Sequence, residues 1–192
     1  GNIYEDTKYY DKMYELFSNI RNKLVVTSRT NLWPQEYSSQ YGTGPLIPGY
    51  EDKGEGLYNE EDHLWWRDWG FQPLMPPKKD PNNSFNSDVP KLSPSGKNIY
   101  WSRGNGWVLA AMARTLDILP ETDLHRNEYL EIFTQMSAAL KNIQREDGFW
   151  NMNLADDTHF PGQETSGTAL FTYGIAWGIN KGILDKETYY PI

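Results

Sequence analysis

Between Trp107 and Lys181 the chain reads as three successive helical segments, and in the first two apolar residues recur at three- and four-residue intervals. A chain patterned this way has little choice but to fold as helices laid side by side. In the first segment Val108, Leu109, Met112, Leu116 and Leu119 form one stripe and Pro120 follows, which predicts a helix over 107–119. In the second, Tyr129, Ile132, Phe133, Met136, Leu140 and Ile143 share a face of a helix expected over 128–145 and stopped by Asp147-Gly148. The third, over 165–181, contains Gly167, Ala169, Gly174, Ala176 and Gly178. Glycine costs about 1 kcal/mol in a helix interior, so small residues in this number point to close helix–helix approach, with Gly182 as the C-terminal cap. A further stripe, Tyr9, Met13, Leu16, Phe17, Ile20 and Leu24, predicts a helix over 6–24 that Asp6 or Thr7 can cap.

Residues 27–62 and 72–98 lack this period. The first stretch carries Pro34, Pro45 and Pro48 among Trp33, Tyr37, Tyr41 and Tyr50, and the second is rich in Pro, Asn, Ser and Lys. Polar linkers rarely hold so many aromatics, so both read as loop insertions on a single domain spanning 1–192. Residues 149–154 read as a short extended piece. The expected architecture is all-α: helical hairpins whose long connections gather on one side, as if one rim of a helical barrel carried the loops that build a site.

Composition excludes several functions. The net charge of −8 leaves no basic surface to neutralise phosphates or anionic lipid, so neither nucleic acid nor membrane is an expected partner. With no cysteine, disulfide frameworks, zinc–thiolate sites and thiol nucleophiles are excluded. His63, His125 and His159 are far apart and match no metal-ligand spacing, and neither a serine nucleophile elbow nor a phosphate-binding glycine loop is present. Asp156-Asp157 is at most a weak cation signal. Neither metal nor organic cofactor is expected.

Aromatic residues make up 15% of the chain, and two of the eight tryptophans bracket Trp101-Ser102-Arg103-Gly104-Asn105-Gly106-Trp107. With two glycines this run reads as a shaped turn ahead of a helix. Indole faces stack on the C–H faces of sugars, and a guanidinium forks onto a carboxylate, so Trp101, Arg103 and Trp107 are candidates for gripping an acidic sugar. Core packing is the competing role for either indole. Asp68, between Trp66 and Trp69 and beside Arg67, is a candidate general acid because flanking indoles desolvate a carboxyl group. Glu164 stands where an acidic residue also suits a helix N-terminus. His159 lies in the loop before the last helix.

Taken together, W-S-R-G-N-G-W at 101–107, R-E-D-G-F-W at 145–150 and E-T-S-G-T-A-L-F-T-Y-G at 164–174 resemble the unsaturated rhamnogalacturonyl hydrolases, glycoside hydrolase family 105, related to the unsaturated glucuronyl hydrolases of family 88. Residues 99–184 carry most of the resemblance. It implies an (α/α)6 barrel, or six-hairpin toroid, of which this chain would be the C-terminal half. It also implies a reaction on the 4,5-unsaturated uronic acid that lyases leave at the non-reducing end of pectin-type oligosaccharides. An aspartic acid protonates the vinyl ether, water adds to the other alkene carbon, and the resulting hemiketal opens. The family's acid is expected ahead of Gly1, so the half barrel alone would be inactive and would self-associate or pair with its N-terminal half. A periplasmic or cytoplasmic bacterial protein is implied. Trp101, Arg103 and Trp107 match sugar-site positions. Where many members have a histidine after G-L-Y, this chain has Trp66, Arg67 and Asp68, and these with His159 and Glu164 complete the candidate set. Two other functions fit the same residues: a non-catalytic carbohydrate-binding half barrel, and an (α/α)-barrel polysaccharide lyase with His63 or His159 as base.

Overall fold

The last helix of the long stripes is the one that organises the fold. In the computed structural model, which describes residues 7–22, 56–67 and 92–190, it spans Thr165–Asn180 and carries no charged residue. The chain divides into two compact units, Gly1–Leu57 and Tyr58–Ile192. In the first unit, helix α1 (Thr7–Asn22) buries Tyr10, whereas Tyr9, Leu16 and Ile20 of the expected stripe are exposed. The Leu57 N–H bonds back to the Ile20 carbonyl at 2.8 Å.

The second unit opens on a two-stranded hairpin that helical periodicity gave no sign of. Strands β1 (Tyr58–Asn59) and β2 (Leu64–Trp65) pair antiparallel, with Tyr58 opposite Trp65 and Asn59 opposite Leu64. The turn between them closes through His63 N–H to Asn59 C=O at 2.8 Å, with His63 in the left-handed region at φ 55°. Then come helices α2 (Ser102–Ile118), α3 (Arg126–Asn142), α4 (Thr165–Asn180) and the short α5 (Lys186–Tyr189). Among its described residues the second unit is therefore mostly α with one small sheet, in keeping with part of an α/α-toroid-like fold.

Helices α2 and α3 form a hairpin. Arg126, at the start of α3, caps the end of α2 by donating from one guanidinium nitrogen to the Leu116 and Leu119 carbonyls at 2.7 and 2.9 Å. Helices α2 and α4 run parallel: Ser102 meets Gly167, Leu109 meets Gly174, and Asp117 meets Trp177 and Lys181. Gly167 and Gly174 make that approach possible, and Gly178 does the same for α3. A Cβ on Gly174 would stand 2.8 Å from Leu109 side-chain carbons, and one on Gly178 would stand 2.9 Å from the Phe133 ring. Ala169 and Ala176, on the opposite face, are exposed and take no part. Gly182 ends α4 at φ 69°, and the Ile183 and Leu184 N–H groups return to the Gly178 carbonyl.

Parallel α2 and α4 bring their N-termini to one rim, where the segments 92–101 and 143–164 also arrive. Trp150 fastens the second of these. It is fully buried, donates its indole N–H to the Leu140 carbonyl at 2.8 Å, and packs edge-on against Phe171 at 5.2 Å. Among the described residues no helix is long and apolar enough to cross a membrane.

Candidate functional site

The Trp101–Trp107 run is not a turn. Helix α2 begins at Ser102, and neither Gly104 nor Gly106 has a positive φ. The helix starts this early because its first N–H is already satisfied by the Met152 carbonyl at 2.9 Å, through an antiparallel bridge between Trp101 and Asn153. Gly106 is there for a close approach: a Cβ would lie 3.3 Å from the Gly167 Cα and 2.9 Å from the Leu170 Cβ.

Asn105 explains how the hairpin reaches this rim. Its side chain is 1% exposed. Its Oδ1 accepts from the Trp65 N–H at 2.8 Å, and its Nδ2 donates to the Trp65 and Trp101 carbonyls, each at 3.0 Å. The amide thus pairs with an otherwise exposed sheet edge and ties β2 to the first turn of α2. Trp66 follows directly, half-buried, with its ring 5.6 Å from Tyr100. Tyr100 is held by a polar knot. It donates to Asp62 Oδ2 at 2.6 Å and accepts from Asn59 and Asn98 Nδ2 at 2.6 and 3.0 Å. Burial, reinforced by the Asp62 carboxylate, pushes the phenol well above its usual range, so Tyr100 stays a neutral donor.

On the other side, Trp101 is half-buried with its ring 5.6 Å from Phe160, and His159 stacks at 4.3 Å on the same phenylalanine. Phe160 is 52% exposed and sits at φ 57°. Arg103 and Trp107 stand one turn apart on the outer side of α2, where both are exposed, Trp107 at 63%. Neither indole lies in the hydrocarbon core.

Glu164 is occupied otherwise. Its carboxylate caps α4, accepting from the Ser166 N–H at 3.3 Å and from the Gly167 N–H. Arg67 is exposed beside Trp66, and Asp68 lies outside the described residues. Asp156 is 1% exposed and holds the loops together. Hydrogen bonds from Ser93, Ser95 and Thr158 keep its carboxyl far below the usual carboxylate range, which leaves it nothing for a cation. Among the described residues no cluster of ligating side chains suits a metal ion. A depression of ≈620 Å³ beside Arg145 is lined by Glu146, Asp147 and Asp157. Its one guanidinium is already taken by Asp147 at 2.9 Å and Asn151 at 2.8 Å, so an anionic sugar gains nothing there.

Trp101 and His159 thus meet on Phe160, and Trp66 packs on the neighbouring Tyr100, while Arg103 and Trp107 lie on the exposed face of α2. Sequence reasoning missed Phe160, Asn105 and Asn153. Phe160 had only its place beside His159 as a signal, and the two asparagines had none.

Residues 1–192 match the sequence profile of Glycosyl Hydrolase Family 88. The chain belongs to this family. It is 35% identical over 144 residues to an unsaturated 3S-rhamnoglycuronyl hydrolase of Formosa agariphila, a match that takes in 74% of this chain and 35% of that one. Among solved structures, one described as a polysaccharide lyase is similar over 99% of this chain and 40% of its own, at 32% identity and a TM-score of 0.68. A family 88 glycosyl hydrolase from Bacteroides vulgatus matches over 70% of this chain and 34% of its own, at 38% identity and a TM-score of 0.61. The chain therefore spans between a third and two fifths of the length of these relatives. The expectation of a C-terminal half, resting mostly on residues 99–184, does not hold. The profile takes in the whole chain, including residues 1–98.

Proposed function

We propose that this family 88 chain acts on a 4,5-unsaturated uronic acid at the non-reducing end of a rhamnose-containing, pectin-type oligosaccharide, and hydrolyses it by protonating and hydrating the vinyl ether. The observation that supports this reading is the exposed pair Arg103 and Trp107, one turn apart on α2, the helix whose start also carries the Trp101–Phe160 contact. A uronate needs one cation with a planar fork and an apolar face for its ring, and these residues supply both. The name of the Formosa relative supports the sugar class. Trp66 and Arg67 extend the wall on the hairpin side, and Glu164 contributes by fixing the start of α4. Asp68 is the proton donor we assign: it delivers its proton to one alkene carbon while water adds to the other, and the hemiketal so formed opens to release the neighbouring sugar.

The test is the absorbance of the unsaturated uronate when the protein meets lyase-digested rhamnogalacturonan. Loss of the band is the expected result. A rise would assign a lyase, a reading favoured by the likeness to the structure described as one. Binding without change would assign a carbohydrate-binding module. Arg103 is exposed, so Arg103→Ala is expected to leave folding stability within about 0.5 kcal/mol. The same change is expected to weaken binding of the unsaturated disaccharide by about tenfold or more, the worth of one charge-assisted hydrogen bond. Calorimetric titration measures this, and unaltered affinity would remove Arg103 from the site.

A further inference from the structure

Two histidines of the second unit are held through Nδ1 by partners of opposite kind. Asn153 is fully buried. Its Oδ1 accepts from the Tyr100 and Ala155 N–H groups at 3.0 and 3.3 Å, and its Nδ2 donates to the Asn98 carbonyl at 3.3 Å. Backbone donors on one side and a backbone carbonyl on the other permit one orientation of the amide and forbid its flip. The second Nδ2 proton faces His159 Nδ1 at 3.2 Å. A donor there requires a lone pair on Nδ1, so the neutral ring must carry its proton on Nε2.

At His63 the chain of donors runs the other way. Gln135 Nε2 donates to the Glu131 carboxylate at 3.1 Å, which turns Gln135 Oε1 toward the Tyr58 hydroxyl at 3.0 Å. The Tyr58 proton goes to Gln135, and the 3.1 Å contact of Tyr58 Oη with His63 Nδ1 is then a bond donated by the histidine. His63 is left with its lone pair on Nε2.

A third observation links His159 to Trp101. His159 packs on Phe160, a bulky residue held at φ 57° and 52% exposed. Such a backbone costs about 1–3 kcal/mol, and an exposed ring recovers little of that by packing. The strain sets Phe160 and His159 beside Trp101.

We propose that His159 is a hydrogen-bond donor to the sugar, kept in the Nε2–H form by Asn153 as a positioning residue. The ligand atom it takes is an acceptor oxygen, a hydroxyl or the uronate carboxylate. A neutral ring protonated on Nε2 and occupied on Nδ1 has no lone pair to offer, so His159 is not a base. This assignment rests on the sugar-binding function proposed above and deepens it.

Long-range proton–nitrogen spectra of the full 15N-labelled chain at neutral pH test it, with His159 assigned through His159→Gln and His63 through His63→Gln. The expected spectrum has His159 in the Nε2–H form alone and His63 in the Nδ1–H form. In Asn153→Asp an acceptor replaces the donor, and His159 is expected to move its proton to Nδ1; wild-type spectra decide the matter if that variant fails to fold. An Nδ1–H or mixed His159 in the wild type overturns the proposal. The unsaturated rhamnose–uronate disaccharide is then titrated in. The His159 Nε2–H signal should shift, His159→Ala should bind about tenfold more weakly, and His159→Gln, which keeps a donor near the same place, should recover most of that loss. Sugar binding with an unmoved His159 signal overturns the donor role and leaves the proposed function standing. An Nε2–H ring in a protein that binds no such sugar overturns the proposed function instead.

Discussion

Asn105→Ala is expected to destabilise the Tyr58–Ile192 unit by about 3 kcal/mol, a large fraction of what holds a domain of this size together. The side chain is 1% exposed and makes three hydrogen bonds, two to the backbone of Trp65 and one to the Trp101 carbonyl. Alanine removes the amide but leaves the Trp65 N–H and C=O in place, and Trp65 is itself only 5% exposed. Each stranded group costs about 1–3 kcal/mol when water cannot reach it. Asn105→Asp should be no better. A carboxylate still accepts from Trp65 N–H, but it turns acceptors toward two carbonyls that need donors. Urea unfolding followed by tryptophan fluorescence measures both variants. A midpoint within error of the wild type would mean that the hairpin is held to α2 by something other than this amide. Sugar affinity should fall as well, because Trp66 and Arg67 extend from the strand that Asn105 fastens.

That same asparagine shows how far the sequence could be read. Its place between two glycines made the Trp101–Trp107 run look like a turn, because composition reports backbone freedom and not the neighbour that a missing Cβ admits. Helix α4 was legible almost to the residue, expected over 165–181 and found at Thr165–Asn180. Its run of small residues marks it, and Gly182 ends it with the positive φ that glycine tolerates. The second stripe was legible in type but displaced: Arg126–Asn142 begins two residues sooner than 128–145 and stops three sooner. Its stop comes before Gly148, which instead shapes the Arg145–Gly148 turn at φ 81°. The hairpin was illegible because strands of two residues each carry no alternation to detect.

The site divides in the same way. Arg103 and Trp107 of the proposed site stand out in the sequence because their chemistry is out of proportion to a surface helix. Glu164 was ambiguous, since an acid before Thr165 serves a sugar or a helix start equally well, and only coordinates show both carboxylate oxygens turned to Ser166 and Gly167. Asn153 could not have been found. Its role depends on Tyr100, Asn98 and His159 meeting across a bridge that joins residues about fifty positions apart in the chain, and nothing in its neighbours in sequence announces that.

Gly167→Ala is expected to cost about 2–3 kcal/mol, although alanine is the better helix former by about 1 kcal/mol. The added methyl would stand 2.6 Å from Glu164 Oε2 and 2.9 Å from the Ser102 carbonyl carbon, and nearer still to Ser102 Oγ. Ser102 Oγ and Glu164 can rotate away, but the Ser102 backbone cannot, so the two helix starts must separate. Displacing Glu164 also strips the cap from α4, which by itself is worth about 1 kcal/mol. Gly104→Ala is the matched control in the neighbouring helix. A Cβ there meets nothing closer than Trp101 Cβ at 4.0 Å, so the propensity gain stands alone, and stability should rise by about 0.5–1 kcal/mol. Opposite shifts in the urea midpoint are therefore expected from the same substitution at two glycines of one rim. Equal shifts would show that α2 and α4 do not meet at Ser102 and Gly167, and with that contact would go the rim on which Trp101 and His159 meet at Phe160.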